Sequence, residues 1–393
     1  MSDAAPGPGF DPTLCDLCGS PDSAPLVGPA TSRAMRSDRV VVERPLRKLA
    51  CRRCGLVRGG EAIASGSLDA YYAEQYRQAP GPEHEFYTPQ GPVARSRVFA
   101  DWLQEAAPEA WSGARSVLEI GAGAGHLLRE LAGRLPSTRF EGLEPGQAAA
   151  ALARQAGLTV ARTAEPAGGA RDLVYSIAVI EHTASPTAFL EQARSRLPDG
   201  GWLLLSQPTQ DVPSYDVFFV DHLYHFGSAH LREYGRKCGF REERVLIGHP
   251  LMPNFSLHVW RSAAPAGAFR WTGPPFETTC AATATRIVND MARLDRTLER
   301  LAAAQRRVAV FGLNEVYWLA RAYSRLGEFP VVCGLDDRPD RPEYAALGFE
   351  VRRPETCVAL GVSDVILAMN KIYYDQAERR LEALGLATHR LLS

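Results

Sequence analysis

Four of the eight cysteines stand in two closely spaced pairs that could hold a metal ion. Cys15 and Cys18 form the first C-x2-C pair, and Cys51 and Cys54 form the second. This spacing lets two thiolates of one tight turn reach the same ion, and two such pairs can complete a tetrahedral four-thiolate site for Zn²⁺. Because four thiolates leave no open coordination position, we expect a structural rather than a catalytic zinc. Two buried, redox-inert pairs or a redox dithiol are the alternatives.

A second chemical motif is the segment SVLEIGAGAGHLL, in which an apolar strand runs into a glycine-rich loop and then a helix. This order is typical of the turn that cradles a nucleotide in doubly wound α/β domains. A dinucleotide fingerprint would need its third glycine at position 126, which is histidine. The pattern E-x-G-x-G-x-G is instead typical of class I S-adenosylmethionine-dependent methyltransferases. We therefore expect Glu119, Gly121, Gly123 and Gly125 to bind that cofactor.

Two later segments extend the same alternation of strands and helices. The strand-like RFEGLEP ends in Glu144, 19 residues after Gly125, where a carboxylate commonly accepts hydrogen bonds from ribose hydroxyls. The next strand-like segment, RDLVYSIAVIEHT, ends in Glu181 and His182. Ligands of such sheets bind outside the carboxyl ends of the strands. We therefore predict that Glu144 binds the cofactor and that His182 lies at the same rim.

The segment after the following strand, WLLLSQP, is rich in histidine and aromatic residues. It contains His222 and His225, and in this fold class such a loop lies over the methyl-donor pocket. Methyl transfer requires removal of a proton from the nucleophile, and histidine suits this task because its ordinary pKa lies near neutrality. We predict His222 as the base, and His182 as a second base or as the residue that orients it.

These motifs together resemble the zinc-containing, three-domain sugar C-methyltransferases, which act on nucleotide-linked keto-deoxysugars. The resemblance covers nearly the whole chain and rests on the two C-x2-C pairs, the tyrosine-rich AYYAEQYR at 70–77, the glycine loop, IEH at 180–182 and DHLYHF at 221–226. It implies a sugar site lined by the histidine after one strand and by an acid–histidine pair after the next. In this chain these catalytic candidates are His182, Asp221 and His222.

Two positions depart from the family pattern at the sugar site. The family's tyrosine two positions before the acid is Phe219 here, and its glutamate is Asp221. Loss of that hydroxyl removes one hydrogen bond to the sugar or to an enolate oxygen, which Tyr215 or Tyr224 could replace. The identity of the sugar, and the choice between carbon and oxygen as methyl acceptor, therefore stay open.

Further pocket residues follow from the resemblance. Tyr72 and Tyr76 match the tyrosines that the N-terminal part contributes to the pocket, Tyr76 toward the cofactor and Tyr72 toward the acceptor. Phe219, Tyr224 and His225 complete the predicted acceptor contacts.

The elements that must position these residues predict an α/β protein of three domains. A small N-terminal zinc-binding domain spans 1–75, a central doubly wound class I methyltransferase domain spans 76–265, and a C-terminal Rossmann-like α/β domain spans 280–393. In the last domain, RVAVFGLNEVYWL has only Gly312 of a glycine fingerprint, which argues against NAD binding there. The resemblance implies that this domain helps to hold the nucleotide-sugar.

Composition excludes several other classes. The formal net charge of −1 provides no electrostatic footprint for nucleic acid or an anionic membrane. Neither a membrane-length apolar run nor a secretory signal stands in the sequence, so we expect a cytoplasmic enzyme with a small-molecule acceptor in natural-product, antibiotic or glycan biosynthesis. The oligomeric state is left open. The alternatives are an O- or N-methyltransferase of a glycan or natural-product scaffold, and a zinc-ribbon binding protein with a vestigial cofactor fold.

Overall fold

The computed structural model describes residues 9–76, 83–88, 90–162, 169–267, 269–273, 279–341, 344–345 and 347–393. Residues 1–8, the main part of the N-terminal stretch in which the sequence predicts no secretory signal, lie outside the described residues. The same holds for Arg77 of the tyrosine-rich segment and for residues 274–278 of the predicted boundary between the second and third domains. Within the described part of the chain, no helix is both long enough and apolar enough to cross a membrane.

The chain folds into two compact units. The first unit contains the described residues of Met1–Pro25, Leu49–Ser214 and His222–Cys280, and the second contains those of Leu26–Lys48, Tyr215–Asp221 and Ala281–Ser393. Each unit is therefore assembled from segments that are distant in sequence. The division into three sequence domains stays a prediction.

The secondary structure follows the predicted alternation. The strands are β1 (Ser23–Pro25), β2 (Ala34–Met35), β3 (Val41–Val42), β4 (Lys48–Cys51), β5 (Val57–Gly59), β6 (Glu85–Thr88), β7 (Gly91–Ala94), β8 (Ser116–Ile120), β9 (Arg139–Leu143), β10 (Val160–Ala161), β11 (Leu173–Ile177), β12 (Trp202–Pro208), β13 (Tyr224–His225), β14 (Phe240–His249), β15 (Met252–Ser262), β16 (Val308–Phe311), β17 (Gly334–Leu335), β18 (Val351–Arg352), β19 (Asp364–Leu367) and β20 (Ala387–Arg390). The α-helices are α1 (Ser67–Glu74), α2 (Arg95–Ala106), α3 (Pro108–Ser112), α4 (His126–Arg134), α5 (Gln147–Gln155), α6 (Pro186–Ser195), α7 (Ser228–Lys237), α8 (Thr279–Ala303), α9 (Glu315–Tyr323) and α10 (Tyr374–Glu382).

A seven-stranded sheet forms the centre of the first unit. Its strand order is β10-β9-β8-β11-β12-β15-β14; the first five strands are parallel, and the β14–β15 hairpin adds two antiparallel strands at one edge. The strand order reverses between β8 and β11, where ligands of such sheets bind beyond the carboxyl ends of the strands. The α/β class and the class I methyltransferase fold predicted from the sequence are confirmed.

The central strands are apolar along nearly their whole length because helices cover both faces of the sheet. All residues of β11 and of β12 are buried, and so are all but the first residue of β8. One sheet face carries a core with Trp102, Leu128 and Leu204, and the other carries a core with Leu190, Leu203 and all four paired cysteines. The cysteine pairs thus share a continuous core with one face of the cofactor fold.

A separate four-stranded sheet in the first unit has the order β1-β4-β5-β13. Its first three strands come from the cysteine-rich segment, whereas β13 comes from the histidine-rich segment after β12. In the β5–β13 pair, Arg58 stands opposite Tyr224 and Val57 opposite His225. This sheet therefore joins the two segments in which the sequence placed metal ligands and acceptor contacts.

The second unit contains a five-stranded parallel sheet of order β18-β17-β16-β19-β20. The hairpin β2–β3 packs against α9 in this unit, and Arg39 of its turn forms an ion pair with Glu315 at the start of α9. The predicted apolar face of the long helix α8 is buried; its residues are Ile287, Met291, Leu294, Leu298 and Leu301.

Candidate active site

The four paired cysteines form one buried cluster in the first unit. The Sγ atoms of Cys15 and Cys54 lie 3.7 Å apart, and those of Cys18 and Cys51 lie 3.5 Å apart. All four Sγ atoms lie within 4.8 Å of one another. A tetrahedral site with Zn–S bonds of about 2.3 Å has sulfur atoms about 3.8 Å apart, so the cluster fits Zn²⁺ in geometry and in donor set.

The thiols of the cluster shift one another's pKa in opposite directions, and hydrogen bonds from Cys15 and Cys54 lower the pKa of Cys51. The neighbouring Cys51 thiol, together with burial, raises the pKa of Cys15 to about 12, and its thiol neighbours and burial raise that of Cys54. Four thiolates in so small a volume repel one another unless a positive ion is present. A divalent cation reverses this balance because a coordinating thiol loses its proton to the metal.

The glycine loop between β8 and α4 has three left-handed backbone positions. Gly121, Gly123 and Gly125 have φ values of +82°, +53° and +79°. A Cβ at Gly121 would lie 2.3 Å from Val179 Cγ2, so the turn after β11 packs directly on the loop. A Cβ at Gly123 would meet no described atom within 4 Å. The middle of the loop is therefore open to a ligand, while its first glycine is required by close packing.

Glu144, directly after β9, contacts the same loop. Its carboxylate accepts hydrogen bonds of 2.7 Å from the backbone N–H groups of Gly123 and Gly146. The predicted ribose-binding carboxylate, at the end of β9, thus touches the predicted cofactor loop. These two backbone donors help to fix the orientation of the carboxylate.

Glu119 is the second-last residue of strand β8, and its side chain is buried, with only 3% exposed. Tyr175 on the neighbouring strand β11 donates a 2.9 Å hydrogen bond to Glu119 Oε2. Burial, reinforced by the charge of Glu144, raises the pKa of Glu119 to about 8, against the opposing effect of the Tyr175 hydrogen bond. The carboxyl group is therefore largely protonated at neutral pH.

The predicted catalytic histidines come together beyond the carboxyl ends of β11 and β12. The ring centroids of His182 and His222 are 4.6 Å apart, with the rings nearly perpendicular. The Tyr72 hydroxyl lies 2.9 Å from His182 Nδ1 in a hydrogen bond. This bond fixes the ring of His182 and directs its Nε2 edge away from Tyr72.

The turn that carries His182 is held in a strained conformation. It is a 3-10 turn over Ile180–His182, and Ala178 just before it has φ +54°, a left-handed value that a residue with a Cβ rarely adopts. Such a conformation persists only where the surrounding structure enforces it, and it is frequent at functional sites. Here the Ala178 N–H is fixed by the Ser206 carbonyl of β12 at 2.8 Å.

Several other predicted residues surround this histidine pair. The Tyr76 ring lies 5.2 Å from the Tyr72 ring and 6.0 Å from His182, and the His225 ring lies 6.1 Å from His222, all measured between centroids. Tyr224, in contrast, is 2% exposed, and its hydroxyl donates to the Ala184 carbonyl at 3.1 Å. Its ring packs against Phe10 in the core, which favours a packing role over an acceptor contact.

One carboxylate next to the pair adds a second chemical possibility. The ligand atoms of Glu181, His182 and His222 all lie within 4.8 Å of one another. Two imidazoles and one carboxylate are a donor set that binds divalent transition metals. The same three groups could instead handle protons, which is the use that the fold context supports.

The remaining two predicted residues belong to the second unit. Both carboxylate oxygens of Asp221 accept hydrogen bonds from Ser37, one from its N–H and one from its hydroxyl, each 2.8 Å long. The Phe219 carbonyl accepts a 2.9 Å bond from Lys48 Nζ, and Tyr323 donates to the neighbouring Phe218 carbonyl. These contacts fix the segment Tyr215–Asp221, and the catalytic role of Asp221 and the acceptor role of Phe219 stay predictions.

Three side chains of the first unit that contact the site or the cysteine pairs were not predicted from the sequence. Tyr175 donates to Glu119, Asp16 accepts a bond from Ser185 at the start of α6, and His230 contacts the Cys54 carbonyl. Asp16 stands inside the first C-x2-C pair, which is a visible signal. Tyr175 and His230 have no local signal, because the contacts that define them depend on strand register and on helix placement.

The comparisons with known proteins agree with this geometry. Residues 94–264 match the family described as "Methyltransferase domain". The comparison with curated proteins finds no match. The three solved structures described next each cover half of this chain or less, with TM-scores below 0.5.

Three solved structures illustrate the structural similarity. A methyltransferase in complex with the Haloferax volcanii Trm112 activator is 17% identical over 50% of this chain and 98% of its own, with a TM-score of 0.36. The plantazolicin methyltransferase BpumL, solved with a desmethyl-plantazolicin analogue and S-adenosylhomocysteine, is 11% identical over 43% of this chain and 86% of its own, with a TM-score of 0.37. By comparison, the dimethyltransferase RosA from Streptomyces davawensis is 18% identical over 43% of this chain and 55% of its own, with a TM-score of 0.36.

The matched segment contains β8 to β15, and therefore the glycine loop, Glu144 and the histidine pair. Its sheet has the strand order and the reversed hairpin of the class I fold. The residues from 94 to 264 are a class I S-adenosylmethionine-dependent methyltransferase domain, and the protein that contains them is an enzyme of that kind.

Proposed function

We propose that this enzyme transfers a methyl group from S-adenosylmethionine to a carbon atom of a small keto acceptor. The acceptor in this proposal is a nucleotide-linked keto-deoxysugar. The observation that carries the proposal is the close approach of two sites. The turn bearing His182 packs on Gly121 through Val179, and His182 in turn contacts His222. A proton-accepting pair therefore adjoins the loop that is typical of the methyl donor's site.

The residues around the glycine loop fit the cofactor. Gly123 leaves open space over the loop, Glu144 is oriented toward it by backbone donors, and Glu119 lies just before it on β8. Glu144 would bind the ribose hydroxyls, and the loop would approach the amino acid end of the cofactor. When bound, S-adenosylmethionine supplies an electrophilic methyl group on a sulfonium.

His222 acts as the general base in this proposal. It would remove the proton α to the acceptor's carbonyl, and the carbon of the resulting enolate would be the nucleophile for the methyl group that the cofactor supplies. His182, fixed by Tyr72, orients the acceptor or receives the proton next. Burial of both histidines excludes bulk water, which helps to hold the reacting atoms in line.

The test replaces the base and measures turnover and cofactor binding separately. His222→Gln is expected to lower kcat by roughly 10²- to 10⁴-fold, the usual contribution of a general base, with S-adenosylhomocysteine affinity nearly unchanged in calorimetry. His249→Gln, in the β14–β15 hairpin, serves as the matched control. Unchanged turnover in the His222 variant would remove this residue from the mechanism.

The acceptor class is tested by titrating S-adenosylhomocysteine with and without a thymidine-diphosphate keto-deoxysugar. Tighter cofactor-product binding in the presence of the nucleotide-sugar supports the acceptor class, and NMR of the methylated product then identifies a new C–CH3 group. Indifference to the nucleotide-sugar would instead favour O- or N-methylation of a glycan or natural-product scaffold. The observation that supports this second function is that Phe219 lacks the hydroxyl of the family's tyrosine.

We further propose that the four-cysteine cluster binds one structural Zn²⁺ per chain. The support is the fit of the sulfur separations and of the four-cysteine donor set to a tetrahedral Zn²⁺ site. Metal analysis of the purified protein should find about one zinc ion per chain. A Cys18→Ser variant should retain less, and a metal-free wild-type protein would refute the site.

A further inference from the structure

The first cysteine pair is connected to the His182 turn by one carboxylate. Asp16, inside that pair, accepts a 2.7 Å hydrogen bond from the Ser185 hydroxyl at Oδ1. Its Oδ2 accepts a 2.8 Å bond from the Thr187 hydroxyl and a 3.2 Å bond from the Thr187 N–H. Ser185 and Thr187 begin helix α6, three to five residues after His182. The carboxylate therefore holds the start of the helix that follows the histidine turn.

The second cysteine pair is connected to the His222 segment by an imidazole. His230 Nε2 lies 2.8 Å from the Cys54 carbonyl, and its Nδ1 accepts a 3.0 Å bond from the Gly227 N–H. These two partners require the tautomer with its proton on Nε2, since a carbonyl can only accept and a backbone N–H can only donate. His230 is buried, and it bridges the metal-binding turn to the residue before α7.

Backbone bonds complete the connection between the two segments. The Leu223 carbonyl accepts a 2.8 Å bond from the Gly59 N–H of the cysteine-rich sheet, while the Leu223 N–H donates 2.7 Å to the Glu181 carbonyl. The residue after His222 is thus bonded on one side to the cysteine module and on the other to the His182 turn.

We propose that Asp16 and His230 are positioning residues through which the four-cysteine site sets the positions of His182 and His222. Each C-x2-C turn fixes one of the two histidine segments, one through a carboxylate and the other through an imidazole. Metal binding holds both turns in a single geometry, so the distance between the histidines becomes a property of the metal site. The inference rests on the proposed roles of His182 and His222 in methyl transfer.

The physical reason is the directional nature of the contacts. Asp16 accepts three hydrogen bonds, two of them from hydroxyl groups, and bonds to an ionised acceptor are about twice as strong as neutral ones. Removal of His230 leaves the buried Cys54 carbonyl and Gly227 N–H unsatisfied, which costs more than the net value of the bond. Removal of the Asp16 carboxylate leaves the half-buried hydroxyls of Ser185 and Thr187 without this acceptor. The segment that loses its partner is therefore expected to open locally more often.

The experiment is hydrogen exchange with mass spectrometry on the full-length, metal-loaded protein. Asp16→Asn keeps the side-chain shape but can turn a donor toward the Thr187 N–H. We expect about tenfold faster exchange over 183–190, which corresponds to ~1.4 kcal/mol in the free energy of local opening. His230→Phe keeps the ring stacked on Trp271, 4.9 Å away between centroids, and should speed exchange over 221–230. His230→Gln, which retains one donor toward Cys54, should restore part of the protection.

The matched control is Asp22→Asn. Asp22 lies in the same cysteine-rich segment and pairs with Arg52 at 3.5 Å, but both side chains are exposed. This variant should leave exchange in both histidine segments unchanged. Zinc content and S-adenosylhomocysteine affinity should be unchanged in all four variants, because neither the cysteines nor the glycine loop is altered.

A kinetic readout then separates positioning from mere stability. With a thymidine-diphosphate keto-deoxysugar as acceptor, Asp16→Asn and His230→Phe should lower kcat while the affinity for S-adenosylhomocysteine stays constant. Chelation of the metal from the wild-type protein should speed exchange in both histidine segments and leave 116–120 of β8 protected.

Two results would overturn the proposal. One is unchanged exchange over 183–190 and 221–230 in the variants that retain zinc. The other is faster exchange spread over the whole first unit, which would show a general loss of stability. Local changes in exchange with no turnover on the nucleotide-sugar would leave the positioning role supported and count only against the proposed acceptor.

Discussion

Glu119 offers a quantitative test of how burial controls the chemistry of the cofactor loop. The perturbation is Glu119→Gln, which keeps the size of the side chain and its ability to accept a bond from Tyr175 but removes the titration. In the wild-type protein the carboxyl group is 3% exposed, and burial raises its pKa from an ordinary 4.5 to about 8. Between these two pH values the folded chain binds one proton more than the unfolded chain does.

The sign and size of the effect follow from proton linkage. Because the folded pKa is the higher one, the contribution to stability is fully present below about pH 4.5 and is lost as the pH rises through about 8. At ~1.4 kcal/mol per pH unit, the whole window corresponds to about 5 kcal/mol as an upper bound. Between pH 6 and 7 the slope is about 1.3 kcal/mol per pH unit.

The assay is urea unfolding followed by pulsed hydrogen exchange at β8, which reports on the first unit of this two-unit chain. The difference in unfolding free energy between wild type and Glu119→Gln should shrink by about 1.3 kcal/mol from pH 6 to pH 7. The exposed Glu105→Gln, at the end of α2, is the matched control and should show no such trend. A constant difference between wild type and Glu119→Gln over this range would mean that Glu119 is ionised when buried, and the argument from desolvation would fail.

Three further predictions concern the same unit. Tyr72→Phe removes the hydrogen bond to His182 Nδ1, worth about 1 kcal/mol, and should lower kcat roughly fivefold without changing S-adenosylhomocysteine affinity; an unchanged kcat would show that Tyr72 does not orient His182. Gly123→Ala should destabilise the unit by about 1–2 kcal/mol in urea unfolding, because the backbone has φ +53° although the space is open. Gly133→Ala inside α4 should stabilise it by about 1 kcal/mol, and equal effects of the two changes would contradict the argument from backbone strain. Burial lowers the pKa of His258, so this neutral side chain should cost stability as the pH falls below about 6.5. His258→Gln should flatten the fall of the urea midpoint between pH 7 and 5, and an equally steep fall in the variant would assign the effect to other groups.

The motifs were predictable from the sequence because each is local. A strand, a glycine loop and a helix follow one another within SVLEIGAGAGHLL, and their apolar and glycine spacing is set by backbone geometry within a few residues. The same holds for each C-x2-C turn, since its two thiolates are separated by one short loop. The alternation of strands and helices likewise predicted a parallel sheet, because neighbouring parallel strands need a long crossover connection, which is usually a helix.

The site required tertiary structure because its decisive contacts join residues far apart in the chain. Asp16 meets Ser185 across 169 positions, and His230 meets Cys54 across 176. The assignment of Leu26–Lys48 and Tyr215–Asp221 to the second unit is equally non-local. The hydrophobic periodicity of the sequence does not predict such pairings, because they depend on which surfaces pack together.

The chemical properties of the site residues also follow partly from the sequence and partly from the tertiary structure. Sequence by itself identified which side chains could bind a cofactor, hold a metal ion or accept a proton, because those capacities belong to the residue type. Only the folded chain decided that Glu119 is protonated near neutrality, that Tyr224 is turned into the core and that His182 lies beside His222. Desolvation and distance control these properties, and both arise only when the chain is packed.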